Sequence, residues 1–333
     1  MKKGSLLIWM LVLAVFAGAA GAASARQTAQ PAVPLLELPA LEEGRIIEIP
    51  LNRDPKTALD PREECYLYEE GAKDPTGYAD PSITVNFGTG RIYETNYQYA
   101  RIRIANASQL RTFMASAPGS KNTTPGHDLA KRVKAVVAIN GDYCGGDDIT
   151  KGSLMRQGQM LRLKCDAKFD LLVIDKAGDF HILENARNAD VEAIQDQAVN
   201  IFTFGPALVV DGQPKYGVRS NHIGSHKAAQ RMALCQTGPL EYLIITCEGP
   251  ENEGSVGLTI DQFVDLVSSM PDVQQAYNLD GGSSATVVFR RDGKNWRKVN
   301  ALSSGKVRPL KDIIYFSTAW DTAPEFSSIL PDE

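Results

Sequence analysis

The feature that most constrains the fold of this chain is a series of short apolar segments that recur from about Ile83 to the C-terminal region. Segments such as FDLLVID, YLIITC and KDIIYFS have the length and the β-branched and aromatic composition of buried strands. Most connections between them are too short for the crossover helix that parallel strands need. We therefore predict an α+β fold, in which a single domain is built on a mixed, largely antiparallel sheet with flanking helices.

Helical patterns are few. In TIDQFVDLVSSM the apolar residues follow the helical period, Thr259 and Gln262 form a capping box, and Pro271 ends the helix. The segment SQLRTFMASA, residues 108–117, also has helical spacing and predicts a second helix.

The N-terminus predicts export. MKK supplies a positive start, an apolar stretch follows, and the small residues Ala23 to Ala25 form a cleavage pattern, so residues 1–25 are expected to be a signal peptide. An uncleaved anchor helix is the alternative. No later segment resembles a membrane span. We expect a mature chain that begins near Arg26 and is secreted or extracytoplasmic, in the cell envelope.

Composition divides the rest of the chain into three parts. Residues 26–80 are rich in Pro and charge with little periodicity, and we interpret them as a spacer and lead-in that becomes structured gradually. Residues 81–320 carry the strand pattern and form the predicted domain, and residues 321–333 are a C-terminal tail.

Charge and cysteine content exclude some partners. The formal net charge is -5 and the chain has no contiguous basic run, so binding to nucleic acid or an anionic membrane is not expected. The five cysteines lack a C-x-x-C or Cys/His cluster, so a zinc site is not predicted. Cys144 and Cys165 are the first disulfide pair to test, and unpaired thiols are an equal alternative.

Two glycine-rich turns share one construction. NLDGGSSATVVF and AINGDYCGG each have an apolar run, then Asn or Asp, Gly and small polar residues. Asn and Asp favour turns because their side chains bond to nearby backbone. Alternatively, Asn140, Asp142 and Asp280 project from strand ends into a site where a bare glycine backbone admits an anion. The pattern leaves both interpretations open.

Further polar residues lie near other strands. Gly205 precedes Pro206 in FGPALVVDG, where Asp211 is interpreted as part of a hairpin turn. Arg231 opens an apolar strand, either as a solvated strand end or as a guanidinium fork for phosphate or carboxylate. The NHIGSH segment is interpreted as a polar loop in preference to a metal pair.

Six segments in a fixed order resemble the phosphodiester glycosidase family. They are AINGDY, FGPALVVDG, an arginine opening the next strand, GLTIDQFVDLVSSM, AYNLDGGSSATVVF and RPLKDIIYF, and they run from about Tyr97 to Ser317. The family acts on sugar phosphodiesters and includes exported bacterial relatives, some associated with exopolysaccharide biosynthesis. The resemblance implies a catalytic domain and a carbohydrate substrate carrying a phosphodiester.

The resemblance also implies site residues. The positions that match family motifs and are expected to bind substrate or phosphate are Asn140, Gly141, Tyr143, Gly205, Arg231, Glu248, Gly281, Gly282, Ser283 and Ser284. The family's Pro-Arg-Thr is replaced here by Gln-Arg-Met, and its Asp-Gly-Arg by Glu-Gly-Pro. We expect these departures to alter the substrate rather than the reaction class.

Hydrolysis at an anomeric carbon passes through an oxocarbenium-like state, which needs a carboxylate and a group that helps the phosphate leave. We assign these roles to Asp142 and Asp280. Arg231 and the backbone N–H groups of Gly281–Ser284 are expected to hold the phosphate charge. Asn140 would orient sugar hydroxyls or phosphate oxygens, as would the Ser283 hydroxyl.

The predicted function is therefore an exported hydrolase that releases a sugar and a phosphomonoester from a sugar-1-phosphodiester. The alternative is a non-catalytic cell-envelope module that binds a glycan or phosphorylated polymer. No metal ligands or cofactor are predicted, and the sequence leaves a divalent metal open.

Overall fold

Antiparallel pairing organises the chain. The computed structural model describes residues 32–117, 120–142, 152–218, 224–291, 294–303 and 305–323. In these residues the strands form sheets of nine, five and five strands and two two-stranded ribbons. Every strand pair within these residues is antiparallel. Three α-helices accompany them within the same residues, so the α+β class and the largely antiparallel sheet agree with the prediction.

The elements have the following bounds. The helices are α1 (Gly126–Arg132), α2 (Asn188–Ile194) and α3 (Ile260–Ser268). The strands are β1 (Arg45–Ile46), β2 (Tyr66–Leu67), β3 (Gly77–Asp80), β4 (Ile83–Ile92), β5 (Thr95–Ile104), β6 (Leu110–Met114), β7 (Thr124–Pro125), β8 (Val137–Asn140), β9 (Leu154–Arg156), β10 (Gln159–Arg162), β11 (Leu171–Asp175), β12 (Phe180–Leu183), β13 (Ala198–Phe202), β14 (Ala207–Val210), β15 (Gln213–Pro214), β16 (Met232–Gly238), β17 (Glu241–Cys247), β18 (Gln275–Leu279), β19 (Val287–Arg291), β20 (Asn295–Lys298), β21 (Pro309–Leu310), β22 (Asp312–Phe316) and β23 (Trp320–Asp321).

The strand order shows which segments are neighbours. The nine-stranded sheet has the order β15-β14-β18-β16-β17-β5-β4-β3-β2. The second sheet has the order β20-β19-β8-β22-β6, and the third has the order β10-β9-β13-β11-β12. Two ribbons, β1 with β23 and β7 with β21, complete the pairing.

The main core lies between the nine-stranded sheet and the second sheet. Ile102 and Ile244 of the former join one buried cluster with Ile139 and Ile314 of the latter. Helix α3 covers the other face of the nine-stranded sheet, where Phe263 clusters with buried sheet residues. Helix α1 covers the outer face of the second sheet in the same way. The order of layers is therefore α3, nine-stranded sheet, second sheet, α1.

Helix α3 forms as its sequence predicts. The Thr259 hydroxyl accepts a hydrogen bond from the N–H of Gln262, whose side chain accepts from the N–H of Thr259. These bonds satisfy N–H groups that would otherwise lack partners at the start of the helix. Among the described residues no helix is long and apolar enough to cross a membrane.

The predicted helix over residues 108–117 is wrong. Ala107–Gln109 form one turn of 3-10 helix, and β6 follows and pairs with β22 along its full length. Leu110, Arg111 and Thr112 are consecutive and all buried, which a strand between a sheet and an overlying segment permits and an amphipathic surface helix does not.

The described part of the predicted spacer and lead-in, from residue 32 onward, is more structured than a spacer. β2 and β3 extend the nine-stranded sheet, and β1 pairs with β23. Tyr66 and Tyr78 are buried in the main core, and Arg111 donates to the carbonyl oxygens of residues 49, 50 and 51. The described lead-in, from residue 32 onward, therefore packs as part of the domain, and the domain begins well before residue 81.

Candidate active site

The site is built where neighbouring strands of the nine-stranded sheet end. Met232 of β16 pairs with Leu279 of β18 on one side and with Thr246 of β17 on the other. Asp280 directly follows β18, Arg231 directly precedes β16, and Glu248 directly follows β17. The register thus brings these three predicted site residues to one end of the sheet.

Asn140 joins the second glycine turn to the first. It is the last residue of β8 and is fully buried. Its Nδ2 donates to the carbonyl oxygen of Asp280 at 2.9 Å, and its Oδ1 accepts from the N–H of Thr286 at 3.0 Å. The two turns are therefore adjacent. The Asn140 amide, predicted to orient substrate, is engaged by the backbone of the opposite turn.

The Asp-Gly-Gly-Ser-Ser turn is a short 3-10 helix that closes its own hydrogen bonds. The N–H of Gly282 donates to the carbonyl oxygen of Gln230 at 2.9 Å, and the N–H of Ser284 donates to that of Gly281 at 3.0 Å. A Cβ on Gly281 would lie 2.4 Å from the Gln230 carbonyl oxygen, so only glycine allows this approach. These two N–H groups bond within the protein, which corrects the prediction that they hold phosphate.

The two serines of the turn differ in accessibility. Ser284 is fully buried, and its hydroxyl has no hydrogen-bond partner among the described residues. Ser283 is half-buried, and its Oγ accepts from Nη1 of Arg308 at 3.2 Å. Arg308 was not selected from the sequence, although it opens the RPLKDIIYF segment.

Asp142, the second predicted catalytic carboxylate, anchors a loop. Its Oδ1 accepts from the N–H groups of Thr203 and Phe204 at 3.0 and 3.1 Å, and its Oδ2 accepts from Nη2 of Arg156 at 2.9 Å. Both carboxylate oxygens thus have donors from the protein. This geometry fixes the segment that follows β13.

Arg156 also pairs with a carboxylate that sequence reasoning missed. Its Nε donates to Oδ2 of Asp312 at 2.8 Å, and the two side chains are 4% and 6% exposed. Burial raises the pKa of the Asp312 carboxyl, although Arg156 opposes that shift. Burial by itself lowers the pKa of Arg156, but Asp312 and Asp142 outweigh it and hold that pKa above its ordinary value. Gly141 packs beside this group, because a Cβ there would lie 2.3 Å from Oδ1 of Asp312.

Arg231 has a different environment from the one predicted. Its Nε donates to the carbonyl oxygen of Leu258 at 3.0 Å, and its Nη2 donates to those of Gly224 and Lys227 at 2.9 and 2.7 Å. Burial lowers its pKa. Through Nε and Nη2 the guanidinium therefore holds the loop that leads to α3, and phosphate binding by Arg231 stays a prediction.

A cavity of about 480 Å³ opens at the same end of the sheet. Strand ends of the nine-stranded sheet line one side, and a loop after β20 lines the other. The described lining residues are Thr89, Gly90, Arg91, Asn96, Tyr97, Gln98, Gln230, Thr246, Cys247, Glu248, Val299, Asn300 and Ala301. Glu248 supplies the carboxylate in this set, and its Oε2 accepts from Nδ2 of Asn96 at 3.0 Å and from the Ser255 hydroxyl at 2.5 Å.

The cavity adjoins the Asp-Gly-Gly-Ser-Ser turn through two of its lining residues. The carbonyl oxygen of Gln230 accepts from Gly282, and Nδ2 of Asn300 donates to the carbonyl oxygen of Ala285 at 3.1 Å. Neither Asp142 nor Asp280 is among the described lining residues. Glu248 is thus the predicted site residue that faces the cavity.

The remaining predicted residues lie elsewhere. Gly205 has a φ of 66°, and its carbonyl oxygen accepts from Nδ2 of Asn278 at 2.7 Å, so it packs against β18. Tyr143 and Cys144 lie outside the described residues, and so does the predicted signal peptide. The cysteines that the structure describes, Cys65, Cys165, Cys235 and Cys247, are free thiols. No group of three His, Cys, Asp or Glu side chains suited to a metal ion occurs in the described part of the chain.

Comparison with known proteins gives the family. The family model described as phosphodiester glycosidase matches residues 133–317, which is more than half of the chain. The chain belongs to the phosphodiester glycosidase family. The match contains both glycine turns of the site and the segment from Arg308 to Phe316. No curated protein matches the chain.

A solved structure shares the fold of this phosphodiester glycosidase family member. The catalytic domain of zebrafish N-acetylglucosamine-1-phosphodiester alpha-N-acetylglucosaminidase, auto-inhibited by its pro-peptide, has a TM-score of 0.56 and 15% identity, covering 79% of this chain and 96% of that chain. A hypothetical protein from Synechocystis has a TM-score of 0.49 and 14% identity, covering 72% and 62%. At this identity the zebrafish domain shows a shared fold.

Proposed function

We propose that the chain hydrolyses the glycosidic bond of a sugar-1-phosphodiester and releases a sugar and a phosphomonoester. The observation that carries the proposal is the cavity of about 480 Å³ beside the Asp-Gly-Gly-Ser-Ser turn, in a chain of this family. Its volume lies in the range of small-molecule sites.

The lining of the cavity suits a sugar. Asn96, Gln98, Gln230 and Asn300 bring side-chain amides, each with donors and an acceptor, and hydroxyl groups of a sugar are both donors and acceptors. Glu248 adds a carboxylate, which binds hydroxyl groups or stabilises positive charge. A wall with amides, one carboxylate and the Arg91 guanidinium therefore favours a polar ligand over an apolar one.

The reaction breaks the bond between the anomeric carbon and a phosphate oxygen. Water adds its hydroxyl to that carbon, and its proton passes to a carboxylate and then to solvent or product, so the phosphate leaves as a monoester. We propose Glu248 and Asp280 as the two carboxylates that flank this step. Asp142, with its oxygens bonded to Arg156 and two N–H groups, is proposed as a positioning residue.

The test is product analysis of the mature chain, Arg26 onward, on a panel of sugar-1-phosphodiesters with and without chelator. We expect free sugar and a phosphomonoester from the wild type, and a loss of kcat of about 100-fold or more for Glu248→Gln and for Asp280→Asn. Glu253→Gln, an exposed carboxylate on the same loop as Glu248, is the matched control and should retain activity. Full activity of either site variant would remove that residue from the mechanism.

One observation favours the second candidate, a cell-envelope module that binds a glycan without cleaving it. Asp142, the other predicted catalytic carboxylate, is engaged within the protein. Absence of cleavage across the panel, together with measurable binding of any member, would support this candidate.

We propose an extracytoplasmic location in the cell envelope. It is supported by the MKK start, the apolar stretch and the Ala-Ser-Ala pattern at residues 23–25. N-terminal sequencing of the protein recovered from cell fractions tests it: a mature chain starting near Arg26 outside the cytoplasm is expected, and an intact Met1 in the cytoplasm would contradict it.

A further inference from the structure

A phosphodiester in this site needs a cation near the Asp-Gly-Gly-Ser-Ser turn. The proposed carboxylates Glu248 and Asp280 repel a phosphate, and that repulsion is strong where water is partly excluded. Arg231, the cation predicted for this purpose, donates to three backbone carbonyl oxygens instead. Those bonds direct the Arg231 donors toward the loop before α3, and Arg91 lies in the cavity lining, so a cation that contacts the turn itself is sought on another segment.

Arg308 contacts the accessible part of the turn. Its Nη1 donates to the Ser283 hydroxyl at 3.2 Å, and the side chain is half-buried. Because the Ser283 oxygen accepts this bond, its own hydrogen is available to donate to another acceptor. Next to it, a Cβ on Gly282 would meet no described atom within 4 Å, so the turn is open on this side.

The segment that carries Arg308 is basic although the chain as a whole is acidic. Between residues 294 and 311 there is no Asp or Glu, whereas the net charge of the chain is -5. The cations of this segment are Lys294, Arg297, Lys298, Lys306, Arg308 and Lys311. Lys298 contacts the residue that follows the turn, since its Nζ donates to the carbonyl oxygen of Ala285. Two cations thus lie beside the C-terminal part of the turn.

We propose that Arg308 and the Ser283 hydroxyl together bind the non-bridging oxygens of the phosphate group. This inference rests on the proposed function and deepens it, because it assigns the phosphate subsite. A guanidinium presents several N–H donors in one plane, so one can bond Ser283 while others bond phosphate. The sugar would occupy the cavity lined by Glu248, on the side of the turn that Gln230 and Asn300 contact.

The first experiment measures binding, independently of turnover. Inorganic phosphate and a sugar 1-phosphate are titrated by calorimetry into wild type, Arg308→Gln, Arg308→Lys and Ser283→Ala. The control is Arg297→Gln, an exposed cation on β20 of the same basic segment. We expect Arg308→Gln to weaken binding of the sugar phosphate by about 10- to 100-fold and Arg308→Lys to recover part of it, because charge returns without the planar fork. Unchanged melting temperatures verify that the variants fold.

The second experiment measures kcat and KM on a cleaved substrate from the panel. Arg308→Gln should lower kcat/KM at least tenfold while Arg297→Gln stays within twofold of wild type. If wild type cleaves and Arg308→Gln matches Arg297→Gln in both experiments, the inference is wrong and the proposed function stands. If no substrate is cleaved but Arg308→Gln alone loses sugar phosphate binding, the phosphate subsite stands and the hydrolase proposal fails.

Discussion

At the scale of single residues, Arg156 neutralises two carboxylates that the fold buries side by side. Asp142 and Asp312 each accept a hydrogen bond from its guanidinium, at 2.9 and 2.8 Å. Removing one member of a buried ionic group leaves charge without compensation, which costs more than the group contributes when intact. The stability of this region therefore depends on Arg156 more than on any surface ion pair of the chain.

We predict that Arg156→Met lowers the free energy of unfolding by about 3 to 5 kcal/mol. Urea unfolding of the mature chain at pH 7 measures it. Arg132→Met, which removes an exposed arginine from α1, should stay within about 0.5 kcal/mol of wild type. A loss below 1 kcal/mol for Arg156→Met would show that the carboxylates do not need this partner.

The stability loss caused by Arg156→Met should also depend on pH. Burial raises the pKa of Asp312 and Arg156 opposes the rise, so the variant should have a folded pKa still further above its unfolded value. Such a carboxyl contributes stability at low pH that is lost as pH rises through the folded pKa. The deficit relative to wild type should therefore be smaller at pH 5 than at pH 8. An equal deficit at both values would contradict the assignment to Asp312.

For Lys298 we predict that stability changes with pH in the opposite direction. Burial lowers its pKa from 10.5 to about 8, so the folded state disfavours the charged form. Above pH 8 the unfolded chain holds a proton that the folded chain releases, and stability from this group rises with pH, by at most about 1.4 kcal/mol per pH unit. Unfolding of wild type and Lys298→Met is measured between pH 7 and 9.5, where the thiols of Cys65, Cys235 and Cys247, whose pKa values burial raises, lower the stability of both proteins as pH rises. The difference in stability between wild type and variant should therefore rise with pH. Parallel curves would count against it.

The sequence pattern indicated both aspartate turns but not the partners of the arginines. Asn140 ends a buried strand and Asp280 follows one, and that pattern is visible in the sequence. The partner of an arginine is set by the strands that lie beside it, which periodicity does not reveal. Arg231 and Arg308 both stand next to apolar runs, yet one bonds backbone carbonyls and the other bonds Ser283.

At the scale of elements, Asn140 couples β8 to the Asp-Gly-Gly-Ser-Ser turn. We predict that Asn140→Ala costs about 2 to 4 kcal/mol of stability, because a buried N–H and a buried C=O both lose their partner. Hydrogen exchange gives the local readout: the amide of Thr286 should exchange faster, while that of Val287, which donates to Asn300, should change less.

The control for that measurement is Asn122→Ala, at an exposed position, which should leave both exchange rates unchanged. Equal acceleration of Thr286 and Val287 would indicate global destabilisation, and the coupling role of Asn140 would then be wrong.

Elements differ in how far local sequence determines them. Helix α3 carries its own cap and a full apolar stripe, so its start and type follow from ten residues. Strand β6 has a similar apolar spacing, but it is fixed by pairing with β22, some two hundred residues later in the chain. Long-range pairing overrides local propensity, and the helix predicted there was wrong for that reason.

At the scale of the whole molecule, the lead-in shows the limit of composition. Residues 45–80 are rich in Pro and charge, which is typical of linkers. Their sparse apolar residues, such as Tyr66 and Tyr78, nevertheless join the main core. Their charged residues find partners far along the chain, as Asp60 does in Arg290. A segment need not look amphipathic when it packs as an irregular segment with three short strands.

Truncation shows whether residues before 81 are part of the folded domain or only a spacer. We predict that a chain starting at residue 81 fails to fold, because it exposes the edge of β4, removes Tyr66 and Tyr78 from the core and leaves Arg111 without the carbonyl oxygens of residues 49 to 51. A chain starting at residue 41 keeps all of these contacts. Among the described residues it loses the bonds of residues 33–37, such as Thr84 to the carbonyl oxygen of Leu36, and the packing of Ala32 and Val33 against the α3 cluster. It should remain folded with a lower melting temperature. Size-exclusion chromatography and thermal unfolding by circular dichroism compare both with the chain from Arg26, and a cooperative transition in the chain from residue 81 would restore the spacer interpretation.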